Sequence, residues 1–262
     1  MIRGRALVTG ASSGIGLAFA RRLAADGNDL VVVARSGGRL HELAEELKRT
    51  HRSEAEVLVA DLTTPDGVAA VERRLADTSQ AVDLLVNNAG FGTFGRFAEL
   101  PIDKEVEEIE LNVVALVRLT RAVLPGLIAR RTGGVINVAS IAAYQPGPWE
   151  ATYCATKAFV HSFSQALHEE VKSSGVKVLS LCPGFTVTEF QDRSGADSSG
   201  VPGFVTQTAD QVVDAALKAY RRGRAIRVPG GPNKVLAATA RLSPQLMARK
   251  MAGAVGRRLA KI

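Results

Sequence analysis

Three side chains near the middle of the chain have the types and spacing of an acid/base site. Tyr153 and Lys157 lie four residues apart in a segment, residues 151–173, whose apolar residues recur at threes and fours and therefore predict a helix. On one helix face the Lys157 ammonium is expected to favour the phenolate and to lower the pKa of Tyr153. Ser140 ends an apolar run, residues 135–139, that predicts a buried strand. Its hydroxyl is expected to meet Tyr153 in a crevice at the carboxyl end of the sheet.

A tyrosine and a lysine at this spacing also occur by chance in helices, so support has to come from other segments. Residues 5–9 predict a strand, residues 10–16 read Gly-Ala-Ser-Ser-Gly-Ile-Gly, and a helical pattern follows to residue 25. In a strand, glycine turn and helix of this kind, the backbone can approach a pyrophosphate whose charge lies at the helix N-terminus. An ordinary turn between a strand and a helix is the alternative. The phosphate-binding residues predicted here are Gly10, Ser12, Ser13, Gly14, Ile15 and Gly16.

Strands and helices alternate along the rest of the chain. Strands are predicted at residues 29–34, 55–60, 82–86, 176–182 and 225–228, in addition to those above, and further helices at 38–49, 65–76, 103–130 and 209–222. Regular alternation with fully apolar strands predicts an α/β fold with a single doubly wound, Rossmann-type parallel sheet and helices on both faces. One domain over residues 1–262 is expected.

Composition narrows the class of protein. The chain has 262 residues, is 46% hydrophobic and has a net charge of +7. The sequence contains no run of eighteen apolar residues and leaves no room for a signal peptide before the first predicted strand, so we expect a cytoplasmic location. Its two cysteines and four histidines match no disulfide or metal spacing, so no metal site is expected. Twelve basic residues and no acid lie in residues 215–262, against 21 basic and 26 acidic residues before them, and no DNA- or RNA-binding module accompanies them.

The order of these motifs resembles that of the short-chain dehydrogenases/reductases, from Thr9 to about Val228. The matching residues are Thr9-Gly10 with Gly14-Ile15-Gly16, Asp61-Leu62, Asn87-Asn88-Ala89-Gly90, Asn112, Ser140, Tyr153 with Lys157, and Pro183-Gly184 with Thr188. The resemblance implies hydride transfer with a nicotinamide cofactor and a catalytic tetrad of Asn112, Ser140, Tyr153 and Lys157. In carbonyl reduction Tyr153 would give a proton to oxygen while Ser140 donates a hydrogen bond to it.

The resemblance also implies a role for each remaining matched residue. Asn112 would support Lys157 through water as part of a proton relay, and Lys157 would also bind the nicotinamide ribose. Asn87 is read as structural or as satisfying polar groups at the end of its strand. The cofactor-binding residues implied beyond the glycine turn are Asp61, Leu62, Asn88, Ala89, Gly90, Tyr153, Lys157, Pro183, Gly184, Thr186 and Thr188. Of these, Asp61 would contact the adenine, and the segment from Pro183 the carboxamide end of the nicotinamide.

The end of the second strand predicts which cofactor is used. An NAD site places an acidic residue there, about 20 residues after the glycine turn, on the ribose 2′-hydroxyl. This chain has Arg35 and Ser36, which suit a 2′-phosphate, and Arg39 one turn further could assist. The sequence therefore predicts NADP(H), with a solvated surface role for Arg35 as the alternative.

The substrate is expected to be a small apolar carbonyl or alcohol. A substrate loop is predicted at residues 185–208, and its aromatic residues, with those after the fourth and fifth strands, could line an apolar pocket: Phe185, Phe190, Phe204, Phe91, Phe94, Tyr144, Pro146 and Trp149. Packing within the loops is the alternative for these side chains. Sterols, fatty-acyl groups, aromatic ketones and aldehydes all remain open.

Assembly and the C-terminal extension complete the expectations. Helices 103–130 and 151–173 carry more apolar residues than one core stripe needs, and the resemblance implies that they pair in a homodimer or homotetramer. Within a basic helical extension, residues 232–262, the residues after Pro244 form an amphipathic pattern that either packs on the protein or makes weak contact with an anionic membrane surface. Two alternative functions follow: a catalytically silent NADP-binding sensor or scaffold, and a reductase of lipid-like substrates, 3-oxoacyl or steroid, peripheral to the membrane.

Overall fold

Seven parallel strands form one sheet in the part of the chain that the computed structural model describes, residues 4–190 and 203–242. The strands are β1 (Arg5–Thr9), β2 (Asp29–Ala34), β3 (Ala55–Val59), β4 (Leu84–Asn87), β5 (Gly134–Val138), β6 (Lys177–Leu181) and β7 (Ile226–Arg227). Their order across the sheet is β3-β2-β1-β4-β5-β6-β7. The order reverses between β1 and β4, and open α/β sheets bind ligands in the crevice at such a switch point.

Eight α-helices cover this sheet within the described residues. They are α1 (Gly14–Ala25), α2 (Gly37–His51), α3 (Pro65–Ala76), α4 (Ile102–Ile109), α5 (Leu116–Arg130), α6 (Ala151–Val171), α7 (Ala209–Arg221) and α8 (Gly231–Leu242). Local chemistry explains several starts: α3 begins with a proline after Thr64, whose hydroxyl accepts the Gly67 N–H, and Thr208 and Gln211 form a capping box at α7. The predicted doubly wound parallel sheet with helices on both faces is confirmed.

The two faces of the sheet carry separate hydrophobic layers. Along β2, Leu30 and Val32 belong to the layer that includes α1, α2 and α7, whereas Val31 and Val33 belong to the layer that includes α3, α5 and α6. Alternate residues of a strand point to opposite faces, so a strand covered on both sides has to be apolar throughout. This arrangement fixes the carboxyl ends of β1, β4 and β5 side by side.

The predicted helix 103–130 contains an interruption that its sequence pattern did not predict. A π-helical turn, Glu110–Ala115, separates α4 from α5 and carries Asn112. Such single π turns inside helices often occur at functional sites. By length and composition the stretch Ile102–Arg130 could cross a membrane, but a helix in the core of a folded protein passes the same test. Here Leu119, Val123 and Leu127 are buried in the layer against the sheet.

Candidate active site

The three acid/base residues predicted from their spacing come together at the end of β5. Ser140 follows β5 and opens a short 3₁₀ turn, Ile141–Tyr144, where its hydroxyl accepts the Ala142 N–H at 3.1 Å. Tyr153 and Lys157 lie in the first two turns of α6. The Ser140 hydroxyl is near enough to the Tyr153 phenol to affect its pKa, and the Lys157 amine is 5.7 Å from the centre of the Tyr153 ring. The arrangement therefore aligns a phenol, a hydroxyl and an amine along one edge of a cleft.

The predicted lowering of the Tyr153 pKa is wrong for the protein on its own. Burial raises the pKa of the phenol well above its usual value, and the neighbouring Ser140 hydroxyl opposes this rise only in part. Negative charge on Glu150, Cys154 and Glu108, which lie near the phenol, raises the pKa of Tyr153 further. The sequence does not show how far Tyr153 is desolvated, and desolvation has the largest effect on its pKa. A neutral phenol is the form that can donate a proton.

Lys157 is buried, and its amine donates a hydrogen bond to the Val138 carbonyl at 3.1 Å. Burial lowers the pKa of Lys157 to about 8, against the opposing effects of Glu108 and Cys182. A lysine with a pKa this near neutrality can exchange a proton under ordinary conditions. The group thus has the properties of a proton-transfer partner for Tyr153.

Asn112 holds the loop after β4 in place. Its amide nitrogen donates to the Phe91 carbonyl at 2.9 Å and to the Thr156 hydroxyl at 3.1 Å, and its amide oxygen accepts the Phe91 N–H at 3.2 Å. A Cβ at Gly90 would lie 2.7 Å from the Asn112 oxygen and 3.3 Å from the Lys157 amine, so only glycine fits there. The structure thus gives Asn112 a direct role in positioning this loop, while its relay role through water stays a prediction.

The glycine turn joins β1 to α1 directly beside this loop. Gly10 has a φ of +65°, and a Cβ at Gly16 would lie 2.2 Å from the Gly10 carbonyl oxygen. The Asn88 side chain donates to the Thr9 carbonyl at 2.9 Å, and the Thr9 hydroxyl accepts the N–H groups of Asn88 and Ala89 at 3.0 and 2.9 Å. The ends of β1 and β4 are therefore tied together around a tight turn whose backbone a ligand can approach.

The remaining residues of the turn lie at the N-terminus of α1. Ser12 precedes Ser13, which is the N-cap residue and makes no capping hydrogen bond through its side chain, and α1 begins with Gly14, Ile15 and Gly16. Helix N-termini attract phosphate groups through their backbone N–H donors. The residues predicted to bind a pyrophosphate thus form one continuous segment between β1 and the first turn of α1.

The ends of β2 and β3 bring together Arg35, Ser36 and Asp61. Arg35 has a side chain that is 71% exposed, and one of its nitrogens is 3.9 Å from an Asp61 oxygen. Asp61 accepts hydrogen bonds from the N–H and hydroxyl of Thr63 at 3.0 and 2.8 Å. Although burial opposes it, these bonds lower the pKa of Asp61. Leu62 is buried in the core, so its side chain has a packing role.

The segment after β6 closes the other end of the cleft. The Pro183 carbonyl accepts the Ile141 N–H at 2.9 Å, and the Thr186 hydroxyl donates to the Gly184 carbonyl at 3.1 Å. Thr188 reaches the glycine turn: a Cβ at Gly14 would lie 3.2 Å from its methyl group. The segments predicted to bind the cofactor therefore lie at the carboxyl ends of β1, β2, β3, β4 and β6 and at the start of α6.

Asn233 on α8 also borders this crevice and was missed by sequence reasoning. It is 1% exposed, its side chain donates to Gln207 at 3.2 Å, and a Cβ at Gly184 would lie 2.4 Å from its amide nitrogen. Its amide oxygen is buried without a hydrogen-bond partner. The signal was weak because α8 lies beyond the segment that carries the family motifs.

The predicted substrate loop is described in part, since residues 191–202 and the side chain of Phe204 lie outside the described residues. The Phe190 ring packs against the Tyr153 ring, with 5.6 Å between their centres. Tyr144 instead packs on His161 at 4.7 Å and points its hydroxyl at Cys182, 3.7 Å away. Phe190 therefore lies against Tyr153, while Tyr144 has a packing role.

Cys154, between Tyr153 and Lys157 in sequence, is buried. Its sulfur lies near Gly147, where an added Cβ would be 2.2 Å from it, and burial raises the pKa of its thiol to about 12. The interpretation of Cys154 as a packing residue is confirmed. Among residues 4–190 and 203–242, no group of three acidic, histidine or cysteine side chains is arranged to hold a metal ion.

Comparison with known proteins shows which sequence family the chain matches. The family model described as short chain dehydrogenase matches residues 5–199. An uncharacterized oxidoreductase of Staphylococcus epidermidis is 32% identical over 212 residues, which cover 79% of this chain and 90% of that protein. A very-long-chain 3-oxoacyl-CoA reductase of Rattus norvegicus is 36% identical over 188 residues, which cover 70% of this chain and 60% of that protein.

A solved structure matches almost the whole chain. It is the short-chain dehydrogenase from Sphingobium yanoikuyae in complex with NADPH, with a TM-score of 0.82 and 36% sequence identity. The match covers 99% of this chain and 96% of that chain. The likeness in fold therefore extends over almost the whole chain.

Proposed function

The chain belongs to the short-chain dehydrogenase family, and we propose that it is an NADP(H)-dependent oxidoreductase that interconverts a carbonyl and an alcohol on an apolar small molecule. The observation that carries this proposal is the group of Ser140, Tyr153 and the buried Lys157 at the end of β5, beside the glycine turn. A proton donor, a hydrogen-bond donor and a cradle for phosphates are what carbonyl reduction requires of a protein.

NADPH, when bound, supplies the hydride. On the protein side, the Ser140 hydroxyl donates a hydrogen bond to the carbonyl oxygen as negative charge develops there. Tyr153 gives its proton to the same oxygen, and its raised pKa keeps the phenol protonated before the reaction. Lys157 then returns a proton to Tyr153. Alcohol oxidation uses the same groups in reverse.

The crevice supports NADP(H) in particular. The NADPH complex of the Sphingobium enzyme is a close match in fold, and Arg35 and Ser36 stand where an NAD site would have a carboxylate. Because the Arg35 guanidinium is largely exposed, it is accessible to a 2′-phosphate. Asp61 would face the adenine and the segment from Pro183 to Thr188 the nicotinamide.

A lipid-like substrate is the second candidate, favoured by one set of observations. Four exposed apolar side chains lie on the predicted substrate loop, Phe185 and Val187, and on α8, Val235 and Leu236. In addition, a matching rat protein is named a very-long-chain 3-oxoacyl-CoA reductase. Contact with a membrane through the amphipathic pattern after Pro244 stays a prediction, because residues 243–262 lie outside the described residues. A catalytically silent sensor is less well supported, because none of the four tetrad positions is substituted.

Purified protein mixed with NADPH and a panel of apolar ketones, aldehydes and 3-oxoacyl thioesters tests this function. We expect absorbance loss of NADPH with at least one class, and faster turnover than with NADH. A panel in which no compound is reduced, and no corresponding alcohol is oxidised with NADP⁺, would leave only the silent sensor.

The apolar outer face of α5 and α6 supports a homodimer. Arg121, Leu124, Pro125, Ile128 and Ala129 line a shallow depression of about 420 Å³ on α5, and further exposed apolar side chains are Val106, Ile109, Val114 and Phe159. Exposed apolar side chains in such number on neighbouring helices often mark an interface.

We therefore expect a dimer or a tetramer in sedimentation at micromolar concentration. Ile128→Glu should shift the population towards the 27.7 kDa monomer, because it buries a charge in the interface. Leu236→Glu, a similar change on the exposed side of α8, serves as the control. A native protein that sediments as a monomer, or equal behaviour of both variants, would contradict this assembly.

A further inference from the structure

Two carboxylate side chains are buried on the inner side of α4, close to the catalytic residues. Glu105 is 3% exposed and Glu108 is 0% exposed. Buried carboxyl groups are rare unless they are paired or protonated, because water stabilises their charge far better than a protein interior does. The tetrad does not include them, and the fold does not need acids here. Their presence needs a chemical explanation.

One threonine connects the two carboxyls. The Thr93 hydroxyl oxygen is 2.6 Å from a Glu105 oxygen and 3.0 Å from a Glu108 oxygen, and the Thr93 N–H donates to the same Glu108 oxygen at 3.0 Å. Glu105 also accepts a hydrogen bond from the Thr152 hydroxyl. A hydroxyl has one hydrogen to donate, so both contacts of Thr93 are satisfied only when one carboxyl carries a proton. The geometry therefore describes two acids that share a proton.

Glu108 faces four ionisable groups. Glu105 lies on the same helix, and Lys157, Tyr153 and Cys154 lie on α6. Burial raises the pKa of Glu108 to about 7, with Glu105 adding to the rise and hydrogen bonds from Thr93 and the charge of Lys157 opposing it. In return Glu108 raises the pKa of Lys157. The carboxyl and the amine are thus coupled and titrate close to each other.

The second oxygen of Glu108 has no hydrogen-bond partner and is shielded from bulk solvent. Glu108 lies one helical turn before Asn112, and Asn112 and Lys157 both border the position of Gly90. Such an unpaired carboxyl oxygen can accept a hydrogen bond from one water that bridges it to a neighbouring polar group.

We propose that Glu108 is a positioning residue that acts through Lys157. During carbonyl reduction it returns a proton to the Lys157 amine through a water bound at the unpaired oxygen of Glu108. This inference rests on the proposed function. After Tyr153 has given its proton to the substrate and Lys157 has restored it, the O–H bond of the Glu108 carboxyl breaks and an N–H bond forms on Lys157. The bridging water then returns a proton, taken up from solvent, to the Glu108 carboxylate. Only protons move, and alcohol oxidation runs the same steps in reverse.

A pH dependence follows from this assignment. Reduction needs the protonated form of Glu108, so kcat for reduction should be highest below pH 7 and should fall as the pH rises through about 7. In Glu108→Gln, which keeps an acceptor for the Thr93 N–H, the fall near pH 7 should disappear. At pH 6, kcat should drop about tenfold, less than the loss of a direct proton donor, with KM for NADPH within about twofold of native.

Two further variants separate this role from a structural one. Glu108→Asp keeps a carboxyl and should restore the fall near pH 7. Glu110→Gln removes an exposed acid two residues away and should change neither kcat nor the pH profile. An unchanged pH profile in Glu108→Gln overturns the proposal.

Infrared titration of the protein without substrate gives a readout that does not depend on turnover. We expect a C=O band of a protonated carboxyl that is lost as the pH rises through about 7, that is absent from Glu108→Gln and that is retained in Glu110→Gln. Because Lys157 lowers the pKa of Glu108, Lys157→Met should move the midpoint to higher pH. A midpoint that stays in place overturns the relay, whereas a coupled titration in a protein that reduces nothing in the panel refutes the proposed function alone.

Discussion

Replacing Tyr153 with phenylalanine should lower kcat at least about 10²-fold, the usual cost of losing a general acid. The ring remains, so its packing against Phe190 should persist, while the phenol proton is lost. Affinity for NADPH should stay within about threefold, because a lost phenol hydroxyl at the reaction centre removes an interaction that matters mainly in the transition state.

A matched control is available in Tyr144→Phe. Its hydroxyl points at Cys182 and its ring packs on His161, so this change should leave turnover nearly unchanged. Steady-state kinetics with a panel ketone that the native protein reduces measure turnover, and cofactor titration by fluorescence measures the affinity for NADPH. Near-native turnover in Tyr153→Phe would eliminate Tyr153 as the proton donor.

The sequence predicted the fold well because each of its signals is local. Apolar runs of five or six residues alternate with helical patterns, and the strands β1 and β2 have the predicted bounds. The glycine turn was equally clear, since the tight approach at Gly16 excludes any side chain. The π turn at Asn112 escaped prediction, because the apolar pattern of residues 103–130 does not reveal one additional residue in a turn.

The electrostatics of the site could not be read in the same way. A lysine four residues from Tyr153 predicted a lowered pKa, yet burial dominates and raises it. Desolvation depends on what covers a residue, which spacing does not encode. Glu105 and Glu108 were missed for a similar reason: they resemble the exposed acids around them until tertiary packing buries them. Asn233 likewise reaches the crevice only through the placement of α8.

Charge around the 2′-position decides which cofactor the proposed enzyme prefers. Arg35 follows β2 and its side chain is 71% exposed. One of its nitrogens lies 3.9 Å from an Asp61 oxygen, which is too long for a strong hydrogen bond. It is therefore accessible to a phosphate and held only loosely by the neighbouring carboxylate. Arg39, one turn along, is paired with Glu189 at 3.1 Å, so Arg35 is the better candidate for the main phosphate contact.

Arg35→Asp should therefore reverse the preference from NADPH to NADH. A charge-assisted hydrogen bond contributes about 1.5–3 kcal/mol, so its loss should weaken NADPH binding by about 10- to 10²-fold, and repulsion from the new carboxylate should add to this. The same carboxylate can accept hydrogen bonds from the ribose hydroxyls of NADH. Arg49→Asp, at the far end of α2, changes the net charge equally but lies away from the crevice, so it should shift both affinities little. Fluorescence titration of both cofactors on the three proteins distinguishes the outcomes: equal native affinities, or equal shifts in the two variants, would show that Arg35 does not recognise a 2′-phosphate.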